Sequence, residues 1–165
     1  MSLSNRRTFL LGLTGVALTT GCGFQPVYGP NGGAQGLPHI IAVADPSDRN
    51  SFNLVRQLEQ RLGQPQAPLY ALSYAIELDE DELGINAAQE ITRYNVLGTV
   101  TFTLREIATD AVVKTGTVSN FTSYSATGTT VSTLTAERDA YARLMIILAD
   151  QVVTQILASA GELSQ

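Results

Sequence analysis

The chain has 165 residues, enough for one ordinary domain, and 44% of them are hydrophobic, which excludes an intrinsically disordered protein. Ten basic residues against fifteen acidic ones give a net charge of −5. Lysine occurs only at Lys114, so the clustered cations that a nucleic-acid partner demands are missing.

Arg6 and Arg7 precede an apolar run from Phe9 to Leu18, and small residues then lead to the single cysteine, Cys22. A positive start, a short apolar stretch and a small-residue cut site make an export signal. The run is about half the length that a bilayer-spanning helix needs. Leu18-Thr19-Thr20-Gly21-Cys22 resembles the lipobox of bacterial lipoproteins, in which the thiol is acylated and the chain is cut just before it; Thr19 stands where an aliphatic residue is usual. The thiolate is the nucleophile that takes the lipid. A secreted chain with an unpaired cysteine is the other reading, and it leaves an exposed thiol in an oxidising compartment. Asn5-Arg6-Arg7-Thr8-Phe9-Leu10 suits either a twin-arginine or an ordinary secretory route. Removing residues 1–21 leaves eight basic residues against fifteen acidic ones, a mature charge of −7.

Residues 22–36 are rich in glycine and proline and read as a lipidated tether. Leu37 to Ala44 is the first strand, and its lack of polar alternation points to an inner strand or one covered on both faces. Asp45-Pro46-Ser47-Asp48 ends it and offers a cap to a helix from Arg49 to Leu62, whose stripe is Phe52, Val55, Leu58 and Leu62. Gly63 and Pro65 stop that helix.

From Tyr70 to Leu78 the period is two, with Tyr70, Leu72, Tyr74, Ile76 and Leu78 on one face. Asp79-Glu80-Asp81-Glu82 follows as a solvated acidic connection, and its contiguous carboxylates lack the spacing of a calcium loop. Ile91 to Glu106 is the longest strand. Tyr94, Val96, Val100, Phe102 and Leu104 point one way, and Arg93, Asn95, Thr99, Thr101, Thr103 and Arg105 the other. Gly98 marks a bulge or a close approach. Thr109-Asp110-Ala111 turns the chain into a second arm, Val112 to about Tyr124, suited to a sheet edge. Ser123 to Thr133 is small and polar and reads as a loop.

A long helix then runs from about Thr135 to Ser159 on a stripe of Ala136, Tyr141, Leu144, Leu148, Val152 and Ile156, widened by Met145, Ile147, Val153 and Leu157. Glu137 and Asp139 are placed in its first turn and Gly161 at its end. The order β-α-β-β-β-α, with one apolar stripe on each helix, implies an α+β fold: two layers, a mixed four-stranded sheet and both helices packed on one face. The threonine-rich face of the 91–124 hairpin is then left to water or a partner.

No catalytic site can be assembled from these residues. His39, the only histidine, sits beside Pro38 at a strand start and reads as structural. One histidine and one cysteine leave no zinc set and no nucleophile–base pair. Neither a G-x-S-x-G elbow nor a phosphate loop occurs, and the contiguous carboxylates at 77–82 give no reason for a raised carboxyl pKa. The chain reads as non-enzymatic, with no metal and no cofactor.

Cys22-Gly23-Phe24-Gln25-Pro26-Val27-Tyr28-Gly29 resembles the start of mature LptE lipoproteins of lipopolysaccharide assembly, especially the alphaproteobacterial ones. Arg93-Tyr94-Asn95, Gly116, Tyr124 and Thr135-Ala136-Glu137-Arg138-Asp139-Ala140 are similar to later parts of that family's pattern. The resemblance implies a cleaved signal over 1–21, a tether over 22–36 and a single LptE-like domain over 37–165. It implies a plug in the lumen of an LptD-like outer-membrane β-barrel that helps the barrel assemble and assists lipopolysaccharide insertion, held to outer-membrane lipid by acylated Cys22. Such a chain lies at the outer membrane on its periplasmic side. Lipopolysaccharide phosphates or uronates would meet cations, and the candidates are Arg93, Arg105 and Lys114 on the outward strand face, with Arg49. The alternative is an auxiliary lipoprotein subunit of an ABC-type lipid transport system.

Overall fold

The computed structural model describes residues 39–85 and 91–159, and the elements run β1 (Ile41–Val43), α1 (Arg49–Leu62), β2 (Tyr70–Ile85), β3 (Ile91–Glu106), β4 (Val112–Ser125) and α2 (Thr130–Ala158). The export signal, Cys22, the 22–36 tether and Gly161 lie outside the described residues. The fold is α+β: one mixed sheet in the order β1-β2-β3-β4, with β1 parallel to β2 and the other pairs antiparallel.

Period-two patterning sets the faces. Leu72, Val96, Val100, Phe102, Leu104, Val118 and Tyr124 turn one sheet face toward the helices, where they meet Leu54, Leu58, Leu62, Leu144, Leu148, Val152 and Ile156 in a single core. α2 is long and apolar enough in composition to cross a membrane, but its apolar stripe is taken up by this core. Gly98 supplies the close approach: a Cβ there would lie 2.9 Å from Leu144 and 3.0 Å from Leu148. The ladder's irregularity falls elsewhere, between Leu104 and Arg105.

Four expectations change. β1 is a three-residue edge strand rather than an inner one. Its apolar character comes from Ile41, buried against the helices, not from cover on two faces. Phe52 leaves the α1 stripe and is 56% exposed, while Leu54 enters it; Phe52 lies six positions from Leu58, about 240° round the helix. β2 does not stop at Leu78, because Asp79 to Leu83 continue the ladder opposite Leu97 to Arg93. A long partner strand thus overrides the poor strand propensity of acidic residues. α2 begins five residues early, at Thr130, capped by Thr129. Serine and threonine in its first turns look like loop but serve as cap, which places Glu137 and Asp139 beyond the first turn.

α1 starts with a capping box. Asp48 Oδ1 accepts the Ser51 N–H at 2.8 Å, and Ser51 Oγ accepts the Asp48 N–H at 2.8 Å. The Ser51 N–H holds the Asp48 carboxyl below its ordinary value of 3.8. Asp48→Ala is expected to destabilise the domain by about 1 kcal/mol, read as a lower urea midpoint. Because the folded pKa is depressed, that contribution is in place above the ordinary carboxylate pKa and fades as pH falls below it. At the other end of α1, Gly63 takes φ +76° beneath the His39 ring, and His39 Nδ1–H donates to the Gln64 carbonyl at 3.1 Å. The lone histidine thus pins the helix exit, as a structural role requires.

Candidate functional site

The sheet face turned away from the helices is the larger feature. Register sets its rows: Ser73, Thr103 and Thr115; Ala75, Thr101 and Thr117; Glu77, Thr99 and Ser119; Asp79, Leu97 and Phe121; Asp81, Asn95 and Ser123. Short hydroxyl side chains dominate, and they bond among themselves. The Thr101 and Thr117 hydroxyls lie 3.3 Å apart, and Ser123 Oγ donates to Asn95 Oδ1 at 2.8 Å. One apolar pair interrupts the pattern: Leu97 and Phe121 face each other, 37% and 59% exposed. The result is a polar surface, acidic toward the far end of β2.

The cations expected to gather on this face do not. Arg93 and Arg105 are twelve residues apart on β3, about 40 Å at strand rise. Arg105 is already engaged, donating to the Asp110 carbonyl at 3.1 Å with the Asp110 carboxylate 3.7 Å away. Lys114 is opposite Leu104 and so shares the helix-covered face. Its parity on β4 matches that of Gly116, Val118 and Tyr124, so alternation along the strand already puts it there; the bulge lies beyond it, where Val112 pairs with Arg105.

Arg49 does find company. It and Arg138 line two adjoining depressions of about 320 and 480 Å³ between the starts of α1 and α2. Asn50, Leu78, Glu137 and Tyr141 wall one, and Phe52, Asn53 and Ala142 the other. Among the described residues neither arginine has an ion-pair partner, whereas Arg61, Arg105 and Arg143 do. Sequence reasoning missed Arg138 in this role. Its position three residues before the half-buried Tyr141 on an amphipathic helix was the available signal.

A third cluster ties the acidic stretch to the helix. Tyr124 donates to Glu80 Oε1 at 2.5 Å and Tyr141 to Glu80 Oε2 at 3.0 Å. Tyr94 stacks on Tyr124 with centroids 5.1 Å apart. Desolvation first, then the hydrogen bond and charge of Glu80, push the Tyr141 phenol up to about 12 and Tyr124 further in the same direction. Among the described residues no group of three histidine, cysteine, aspartate or glutamate side chains is placed to hold a metal ion.

Similar folds occur in solved lipoprotein structures. One from Caulobacter crescentus shares 20% identity over 80% of this chain and 98% of its own, with a TM-score of 0.64. The rare lipoprotein B of Shewanella oneidensis shares 12% over 76% and 97%, at 0.58. A minor lipoprotein from Acinetobacter baumannii shares 19% over 72% and 91%, at 0.52. At such identities these likenesses establish the fold. No curated protein sequence matches the chain. The family model for LptE, lipopolysaccharide assembly, matches residues 39–156, from His39 through most of α2. By that match, the chain is a member of the LptE family of lipopolysaccharide-assembly proteins.

Proposed function

We propose that the mature chain is a non-catalytic lipoprotein, anchored through acylated Cys22 in the outer membrane. Its domain sits in the lumen of an LptD-like β-barrel, helps that barrel assemble, and assists lipopolysaccharide insertion. One observation carries the reading: the uncovered sheet face is dominated by threonine and serine, with asparagine among them. Barrel lumens are lined by polar side chains, and a plug must match them with hydroxyls rather than a greasy patch. Arg93, Arg105, Lys114 and Arg49 are the proposed contacts for lipopolysaccharide anions. Arg49 is the best placed, because Arg138 lines the same depressions.

Purification of the full-length chain from native membranes tests the proposal. A large β-barrel should accompany it, and mass spectrometry should find lipid on Cys22. Cys22→Ser should release the chain from the membrane fraction. Thr101→Trp with Thr117→Trp places bulk on the exposed face, where aromatic residues suit a strand. That pair should cut barrel recovery at least tenfold while the isolated domain melts as before. An unmodified thiol on a soluble product, or membranes that yield no barrel, would refute the reading.

A further inference from the structure

The backbone of β4 has a definite polarity. The Ala126 N–H donates to the Thr92 carbonyl, so even-numbered residues of β4 bond to β3, and their partners are even-numbered as well. Odd-numbered residues therefore aim their N–H and C=O groups away from the sheet. Three side-chain contacts agree. Gln155 Nε2 donates to the Thr117 carbonyl at 3.4 Å, and Arg143 Nη2 to the Ser123 carbonyl at 3.3 Å. Asn120 Oδ1 accepts the Phe121 N–H at 2.8 Å. Between these caps the N–H and C=O of Ser119 and the C=O of Phe121 have no partner among the described residues.

Sheet edges are normally blunted by charge, proline or a bulge. The opposite edge, where β2 runs on past β1, carries Glu77, Asp79, Glu80, Asp81 and Glu82. β4 from Thr115 to Ser125 carries no charge, no proline and no register shift. Beside it lies a groove of about 600 Å³ between β4 and α2, lined by Thr117, Val118, Ser119, Ile147 and Gln151 among others. The Gln151 Oε1 atom is buried there without a hydrogen-bond donor.

We propose that the β4 edge takes up an extended polypeptide segment as a fifth strand, with alternate apolar side chains set over Val118 and Ile147. An extended chain offers donors and acceptors at the strand repeat, which the Ser119 and Phe121 groups require, and an N–H for Gln151. The phosphate or carboxylate of an anionic lipid offers acceptors only, whereas the Ser119 and Phe121 carbonyls call for donors. The inference rests on the reading above in one respect: the barrel partner supplies the segment.

Proline at an outward position tests it, because Ser119→Pro removes a donor that the native sheet does not use. In the full-length chain co-expressed with the barrel, Ser119→Pro should lower barrel recovery at least tenfold. Ser119→Ala and Ser119→Val should stay within twofold, since main chain and not side chain is recognised. Amide exchange supplies a measurement that needs no variant. The Ser119 amide should exchange freely in the isolated domain and be protected in the native complex, while Val118 is protected in both. Full recovery with Ser119→Pro, or no gain in Ser119 protection, overturns the inference and leaves the plug reading standing. Equal loss with Ser119→Ala assigns the contact to the side chain and also overturns it. Protection that rises with the concentration of the isolated domain assigns the edge to a second copy. Absence of any barrel with the unchanged chain removes both readings.

Discussion

Phe102→Ala is expected to destabilise the domain by about 3–5 kcal/mol, a large share of the stability an ordinary domain possesses. Phe102 is 1% exposed and lies in the middle of β3, directly opposite Gly116 on β4. Its ring occupies the space a side chain at 116 would need: a Cβ there would be 2.6 Å from two ring carbons and 2.4 Å from Gln155 Oε1. The ring thus covers a glycine in a strand, filling the gap that the glycine leaves in the pleated surface. Removing it opens a cavity between sheet and α2 that the surrounding leucines only partly close. The melting temperature should fall by at least about 12 °C.

The same geometry makes the claim separable from generic core loss. Gly116→Ala alone should destabilise by about 1–3 kcal/mol, because the ring must shift from its seat. In the Phe102→Ala background the ring clash is gone and only the flexible Gln155 amide has to yield, so the cost should shrink. A double-mutant cycle in urea reads the coupling directly. Additive losses would mean that Phe102 and Gly116 do not pack as described.

Much of this arrangement was legible in the sequence. The order β-α-β-β-β-α, the two-layer α+β form, and the inward faces of β2 and β3 followed from period and spacing alone. So did the open threonine face, since Thr99, Thr101 and Thr103 alternate with Val100, Phe102 and Leu104. What escaped depended on contacts between distant segments. The strand character of Asp79 to Leu83 comes from pairing with β3, and Glu80 is tolerated there because two tyrosines reach it. Lys114 is the exception, since its parity with Val118 and Tyr124 on β4 already places it on the inward face. The Arg49–Arg138 cleft joins residues 89 positions apart on different helices, so neither local sequence contains it. The unsatisfied backbone of Ser119 is invisible to any reading of side chains.

Glu80 carries the second large effect. It accepts from both Tyr124 and Tyr141, and through them fastens the acidic end of β2 to β4 and α2. Glu80→Ala leaves two phenol groups without an acceptor, and Tyr124 is only 8% exposed, so water cannot replace the carboxylate there. The expected loss is about 1–3 kcal/mol, the unsatisfied-hydroxyl penalty at Tyr124, because the half-buried Tyr141 can turn to water. Glu80→Gln keeps one amide oxygen as acceptor and should recover about half. An alkaline titration gives the independent test. An unfolded tyrosine ionises near pH 10, whereas Tyr141 in the fold is raised to about 12 and Tyr124 is raised as well. The native state therefore holds these protons more tightly. Their contribution is complete below about pH 10 and is lost as the pH climbs through the window up to about 12. Urea unfolding at a series of pH values should show stability falling steeply across that interval. Tyr124→Phe with Tyr141→Phe starts from lower stability at pH 8 but should lose less of it on the way up. An unchanged slope in the double variant would mean that the Glu80 cluster does not control the alkaline limit.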